Sequence, residues 1–268
     1  SGITLVAGSG SLGKVVVSVA NQIPVSATGA FSNGINMQGD IDPIVNIAAG
    51  ASVTGGAGGT AITSQGIENV INNDGSLSTV DGATGLAVRT RGGYTALVNG
   101  GSLQGDVSFS PGTNNLFDNL ASGTVLAGPS LDVGGTGSLL RNSGWLGMAS
   151  SAPGTTTVNG DFTQTAGGVL AVRSDQVTGT SDQFNVTGTA QLSGRVQPAL
   201  YRPGRAWPGQ FSTTLLSASG GLSVDGLVVL GDTAILDFDI RRDGNALKLD
   251  TAINFTPAGL SSSGTQVG

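Results

Sequence analysis

The chain has 268 residues, a formal net charge of −6 and neither cysteine nor histidine. Its 11 lysines and arginines provide no basic surface for phosphates, which argues against nucleic acids and anionic membranes as partners. Without cysteine or histidine the sequence has no disulfides and no Ser-His-Asp or Cys-His catalytic arrangement. No apolar run approaches the roughly 20 residues that a membrane-spanning helix needs, so no direct membrane insertion of this segment is expected.

The remaining composition favours strands over helices. Only 10% of the residues are charged and 46 are glycine, whereas Val, Ile, Thr, Ser and Asn are common. Such residues form short strands and tight turns, and the residues that stabilise exposed helices are scarce. A hydrophobic content of 38% is enough for a core, so the chain is predicted to be folded and all-β.

A loose repeat, Asn-x-Gly-x-Leu, predicts the architecture. It occurs as NDGSL (73–77), NGGSL (99–103) and NSGWL (142–146), with a weaker form, GASV, at 50–53. The leucine-equivalent residues are Val53, Leu77, Leu103 and Leu146, separated by 24, 26 and 43 residues, the last being about two units. A period in the twenties is typical of a stacked solenoid.

Short apolar stretches, including KVVVSV (14–19), IVNIA (44–48) and TALV (95–98), supply the strands of such a solenoid. Three stretches would form one turn of a β-helix, and successive turns would stack about 4.8 Å apart. The asparagines Asn73, Asn99 and Asn142 then have two interpretations. They either bond their amides along the axis, or each adopts a left-handed turn conformation.

The region after residue 141 contains most of the aromatic residues and a sharper strand pattern. In ILDFDIRRDGNALKLD (235–250) apolar residues alternate with charged ones, and Asp243-Gly244 provides a turn signal. This pattern predicts a β-hairpin with one apolar face. Because the open end of a solenoid exposes unpaired edges, we expect this segment to cap it.

Several phrases in order resemble the C-terminal part of autotransporter passenger domains, the exported portions of type V secretion proteins of Gram-negative bacteria. The phrases are GDFTQTAGGVLAVRSD (160–175), SDQFNVTGTAQLSGRVQPAL (181–200) and PGQFSTTLLSASGGL (208–222). Upstream, NNLFDNLASGTVLAG (114–128) is similar to passenger coils of the same family. The segment WLGMASSAPG departs from the family pattern, because it replaces a turn that is common in the family at this place. The conformation of the loop between Leu146 and Gly154 is therefore not predicted.

The resemblance implies a right-handed parallel β-helix with a C-terminal autochaperone cap that folds first and promotes export through the periplasm and outer membrane. It implies β-helix stalk coils in residues 1–155, the final coils and cap in 156–257, and a linker toward a membrane β-barrel in 258–268. The expected location is the bacterial cell surface or the extracellular space. That barrel is the expected partner, with a host surface or identical chains as further possibilities.

Two aspartate pairs and two tryptophans are the candidate functional residues. Asp237 with Asp239, and Asp40 with Asp42, have the spacing of a carboxylate pair that serves a glycosidase or binds calcium. We interpret both pairs as solvated outer-face aspartates, the first beside Arg241 and neither in a wider acidic cluster. Trp145 and Trp207 are either exposed platforms for sugars or, as we expect for Trp207, residues that fill the core or cap its end.

These considerations assign no catalytic, cofactor-binding or metal-binding residue, no cofactor and no enzymatic activity. The function expected from the sequence is that of a non-enzymatic structural passenger segment. The alternatives are an adhesive or self-associating surface on the β-helix and, with less support, a carbohydrate-active β-helix enzyme.

Overall fold

The computed structural model describes residues 2–6, 13–112 and 114–256. Its strands stack in parallel coils and form a β-solenoid. The predicted parallel β-helix with a hairpin-containing cap is therefore confirmed. Within the described ranges, helical geometry is confined to two short 3-10 turns, Gly82–Thr84 and Pro203–Arg205. The linker expected in 258–268 lies outside these ranges.

The strands follow one another along the described chain with short connections. The first twelve are β1 (Ile3–Val6), β2 (Lys14–Val19), β3 (Pro24–Ser26), β4 (Ile35–Gln38), β5 (Asp42–Ile47), β6 (Ser52–Gly55), β7 (Thr60–Asn73), β8 (Ser76–Thr79), β9 (Leu86–Asn99), β10 (Ser102–Ser108), β11 (Leu116–Asn119) and β12 (Thr124–Asp132). The next nine are β13 (Leu139–Asn142), β14 (Trp145–Met148), β15 (Thr155–Asn159), β16 (Asp161–Gln164), β17 (Val169–Asp175), β18 (Thr180–Ser181), β19 (Gln183–Val186), β20 (Thr189–Leu192) and β21 (Arg195–Leu200). The last five are β22 (Gly209–Ala218), β23 (Gly221–Val224), β24 (Val228–Val229), β25 (Leu236–Asp243) and β26 (Ala246–Ile253).

Parallel pairing places apolar side chains above one another in inward-facing columns. One column is Val17, Val45, Ile71, Leu97, Phe117, Leu140, Phe162, Ala190 and Leu222. A second is Val25, Val53, Leu77, Leu103, Val125, Leu146, Leu170, Val196 and Val229. A third is Ile3, Ile35, Ile62, Val88, Val107, Leu131, Val158, Val186 and Ala218. Nearly all of these residues are buried, and each large one stabilises the core by about 1.5–3 kcal/mol.

The second column contains all four leucine-equivalent residues of the sequence repeat. Val125 occupies the coil between Leu103 and Leu146, at separations of 22 and 21 residues. The gap of 43 residues therefore contains one additional coil, as the repeat predicts.

The C-terminal end of the solenoid is covered by an antiparallel sheet. Strand β22 pairs in parallel with β19 of the last coils and antiparallel with β26, and β26 forms a hairpin with β25. The two-residue loop is Gly244-Asn245, one position later than the predicted turn, and Gly244 has a φ of 58°. Phe238, Leu247 and Leu249 are buried on the inner face of this sheet, so the predicted cap is present.

Candidate functional site

A ladder of amide side chains runs through the interior beside the first apolar column. Its hydrogen bonds join Asn73 to Asn99 (2.7 Å), Asn99 to Asn119 (2.8 Å), Asn119 to Asn142 (2.8 Å) and Asn142 to Gln164 (3.3 Å). In each bond the Nδ2 group of one coil donates to the side-chain oxygen of the next coil. All five residues are buried. The stacking interpretation of the asparagines is confirmed, whereas the left-handed interpretation is wrong because none of them has a positive φ.

The ladder has different neighbours at its two ends. The coil before Asn73 has Ile47 at the equivalent position, and the buried Oδ1 of Asn73 has no hydrogen-bond partner. The coil after Gln164 has Leu192 there, but the Nε2 of Gln164 donates to the carbonyls of Ser193 and Arg195 at 2.8 and 3.1 Å. The ladder therefore leaves one unsatisfied acceptor, at its N-terminal end.

An ion pair holds the loop for which the sequence predicts no conformation. Arg173 donates to both carboxylate oxygens of Asp182 at 2.7 and 2.8 Å, and to the carbonyls of Ser150 and Ala152. Asp182 is 1% exposed and also accepts the backbone N–H of Gly154 at 3.0 Å. These bonds attach residues 150–154 to β17, so the loop is part of the folded surface.

Two further carboxylates bond across neighbouring coils. Asp118 accepts two hydrogen bonds from Arg141, and this pairing raises the pKa of the guanidinium. Asp106 accepts the backbone N–H of Ser130 at 2.8 Å. Partial burial raises the pKa of the Asp106 carboxyl, and the bond from Ser130 opposes this effect without cancelling it.

The candidate carboxylates of the hairpin lie on the outer face of the cap sheet. Asp237 and Asp239 are exposed and share this face, as predicted, and the register places Asp250 directly opposite Asp239. The three line an open depression of about 450 Å³ with Ser212. Arg241 bonds Asp250 at 2.7 Å. The expectation that this pair lacks a wider acidic cluster was wrong, because the hairpin register brings in a third carboxylate.

The other aspartate pair does not form a site. Asp40 is exposed, Asp42 is half-buried in β5 opposite Lys14, and the core residue Ile41 separates them. In the described part of the chain no three acidic side chains converge closely enough to hold a metal ion. Neither pair therefore has the geometry of a metal centre.

Trp207 does not fill the core, contrary to the expectation from the sequence. Its side chain is 48% exposed on the loop that follows β21. The amide of Gln176 holds this loop, because its Oε1 accepts the N–H of Trp207 at 3.0 Å and its Nε2 donates to the carbonyl at 2.9 Å. Two prolines flank Trp207 and restrict the backbone of this loop, but the indole still points outward.

Trp145 projects outward from β14 and is half-buried, while its neighbour Leu146 faces the core. The indole lies along its own strand, and its Nε1 is 3.4 Å from the point where a Cβ on Gly147 would stand. Trp145 is therefore a lateral surface residue rather than part of the core.

Comparisons with protein-family models and with curated proteins find no match for this chain. Over the ranges that the structure describes, no helix has the length and apolar character to cross a bilayer.

Proposed function

We propose that this chain is a non-enzymatic structural segment of an exported bacterial surface protein, the C-terminal passenger of an autotransporter, with a stalk and a cap that promotes folding and export. The observation that carries the proposal is the double pairing of β22. Its residues Leu216–Ala218 continue the parallel stack of the solenoid, while most of the strand belongs to the antiparallel cap sheet. The phrases that resemble the family lie in this cap and in the coils before it.

A folded cap presents β22 as a template for the last coil. The hairpin of β25 and β26 joins residues close in sequence, so its ordering requires little loop closure. Once β22 is held against β26, its Leu216–Ala218 edge is ready to pair with Phe184–Val186 of β19. Each added coil then offers an edge to the coil before it, so the solenoid grows from the cap toward the N-terminus.

Refolding kinetics of two truncations in the full chain test this order. Leu249 in the cap and Leu103 in the middle of the stalk are both fully buried leucines. Either substitution by alanine is expected to lower the free energy of unfolding by about 2–5 kcal/mol. If the cap folds first, Leu249→Ala slows refolding by roughly tenfold or more, whereas Leu103→Ala mainly accelerates unfolding.

The rates are measured by stopped-flow dilution from denaturant. A Leu249→Ala chain that refolds at the wild-type rate contradicts the autochaperone role, and so does a Leu103→Ala chain that is slowed equally. The gene sequence after residue 268 tests the secretion class independently. We expect about a dozen strands of roughly ten residues there, with alternating lipid-facing and lumen-facing positions.

A second candidate function, self-association or adhesion, is favoured by an apolar column on the outside of the stalk. This column consists of Val16, Ile44, Val70, Ala96, Leu116 and Leu139. It lies beside a column that is polar except for Val98, in which Asn72 donates to Asn46 at 2.9 Å and Arg141 bonds Asp118. A flat apolar strip with bonded polar neighbours is suited to lateral packing against another flat surface.

Sedimentation velocity of Val70→Lys tests the self-association candidate. A lysine in the middle of the column is expected to abolish any concentration-dependent association of the wild-type chain at about 100 µM, a concentration that detects interactions of roughly −5 to −6 kcal/mol. The matched control is Val80→Lys, because Val80 is an exposed valine outside the column. A wild-type chain that stays monomeric removes self-association, as does equal disruption by both variants.

A further inference from the structure

The outer surface around Trp145 forms a shallow depression rather than a flat strand face. Its volume is about 240 Å³, and its floor contains Gly147 and Ala171 on neighbouring strands. The φ of Gly147 is not in the left-handed region, so its backbone does not require glycine. A Cβ at this position would stand 3.4 Å from both the Trp145 Nε1 and the Ala171 Cβ. The missing side chain therefore leaves one edge of the indole uncovered.

Polar groups border this depression without giving it a net charge. The Arg173–Asp182 ion pair lines one side, and its hydrogen-bonding groups are engaged with each other and with the loop of residues 150–154. Gln197 is an exposed residue of β21 at the same depression, and neither its amide nor the indole N–H of Trp145 has a hydrogen-bond partner in the described protein. An uncharged depression with a free donor and a free amide suits a neutral polar ligand.

A column of hydroxyl side chains leads along the solenoid axis to the same place. Its members are Ser52, Ser76, Ser102 and Thr124, and the next residue in register is Trp145. Successive coils are about 4.8 Å apart, so the hydroxyls recur at short, regular intervals. A ligand with repeated hydroxyl groups can therefore contact several coils at once.

We propose that this depression binds a sugar ring of a neutral glycan chain that lies along the solenoid axis. One ring packs its apolar C–H face on the Trp145 indole and bonds the Gln197 amide through its hydroxyls, and a hydroxyl of the next ring accepts the indole N–H at the edge of the indole. The adjoining rings face the column of serine and threonine hydroxyls. Binding needs no catalytic group, and the site is independent of the proposed role in export.

Tryptophan fluorescence reports directly on this site, because the chain contains only two tryptophans. The full chain carrying Trp207→Phe retains Trp145 as its single tryptophan. We expect cellohexaose, maltohexaose or chitohexaose to produce a saturable change in emission, with a Kd in the submillimolar to millimolar range typical of a shallow site. A glycan series in which none of the three changes the emission at about 10 mM overturns the proposal.

Isothermal titration of the responding glycan separates binding from folding. Trp145→Ala and Gln197→Ala are expected to weaken binding at least tenfold and at least threefold, whereas Trp207→Phe leaves it unchanged. Gly147→Ala is expected to weaken binding at least threefold because its methyl group covers the indole edge, while its thermal unfolding temperature does not fall. Affinity that survives Trp145→Ala in a folded chain, or that is lost in Trp207→Phe, overturns the assignment of the site.

Discussion

Each asparagine of the internal ladder donates to the side-chain oxygen of the amide in the next coil, so a residue in the middle of the ladder bonds two neighbours. Asn119 accepts from Asn99 and donates to Asn142, whereas Asn73 donates to Asn99 and its own Oδ1 is unpaired. Aliphatic residues already stand at this position in the coils of Ile47 and Leu192. The column therefore accepts a leucine sterically, and the cost of a substitution is set by hydrogen bonding.

The same substitution is expected to cost more in the middle of the ladder than at its end. Asn119→Leu leaves the Oδ1 of Asn142 without its donor while that of Asn73 remains unpaired, so the free energy of unfolding should fall by about 2–3 kcal/mol. Asn73→Leu removes one unpaired oxygen and creates another on Asn99, so the fall should be about 1 kcal/mol or less. Denaturant unfolding of both variants measures the difference, and equal losses would contradict the assignment of the cost to unpaired side-chain oxygens.

The sequence reveals only the ladder members that precede a two-residue turn. Asn73, Asn99 and Asn142 are each followed by glycine at the second position and leucine at the fourth, which forms a visible motif. Asn119 and Gln164 reach Gly123 and Gly168 only at the fourth position, because their turns are two residues longer. Their equivalence depends on strand register, which the parallel pairing of coils provides and a fixed motif does not.

Asp106 gives the stability of the stalk a defined pH dependence. Burial raises its pKa in the folded chain above the ordinary value of 3.8, so the folded state favours the protonated carboxyl. Below pH 3.8 the carboxyl is mostly protonated in both the folded and the unfolded chain, so its ionisation does not change the free energy of unfolding. As the pH rises from 3.8 through the folded-state pKa, the unfolded chain ionises first, and the free energy of unfolding falls.

Asp106→Asn is therefore expected to be more stable than the wild type at pH 7, because asparagine still accepts the N–H of Ser130 without carrying a charge. The advantage should shrink as the pH falls and disappear below 3.8. Urea unfolding of both chains from pH 3 to pH 8 measures this dependence. An advantage that is constant with pH would assign the effect to packing rather than to ionisation.

At the scale of the element, β25 is the outer strand of the cap sheet, and side chains cover its backbone. The Thr233 hydroxyl accepts the N–H of Leu236 at 3.1 Å, Asp232 accepts that of Phe238 at 2.9 Å, and Asp239 accepts that of Ile240 at 2.8 Å. An uncovered edge strand pairs readily with another chain. These bonds therefore protect the cap from edge-to-edge association.

Asp232→Ala is expected to expose the N–H of Phe238 and to promote association through β25. The matched control is Asp237→Ala, which removes the same charge from a residue of β25 whose side chain makes no hydrogen bond in the described structure. Light scattering over time at equal protein concentration compares the two variants, and only Asp232→Ala should form dimers or larger species. Equal association of both variants would attribute it to the loss of charge instead.

At the scale of the whole molecule, the sequence predicts the features that recur in every coil. It does not predict the contacts that depend on the register between coils of different sequence. Val53, Leu77, Leu103 and Leu146 mark the solenoid because each coil needs an apolar residue at the same place. The third carboxylate of the cap, Asp250, meets Asp239 only through the hairpin register. The depression at Trp145 likewise requires residues from four neighbouring strands, so neither a motif nor a spacing reveals it.

The stacked architecture predicts an asymmetric order of opening. In the described chain β1, β2 and β3 each pair with the following coil alone, whereas the opposite end of the solenoid is covered by the cap sheet. Each coil is stabilised chiefly by its neighbours, so a coil with one neighbour opens with less free energy than one between two. Amide exchange should therefore be fast in β1, β2 and β3 and slow in β9, β17 and β26.

Deleting residues 209–268 gives this prediction its control. Without β22 and β26 the last coils lose the cap, and exchange should then become fast at both ends, in β19 and β20 as well as in β2. Hydrogen exchange followed by mass spectrometry resolves these segments. If β25 and β26 exchange before β2 in the intact chain, the antiparallel sheet does not close the solenoid, and the cap is then a passive appendage that cannot serve as the template for folding.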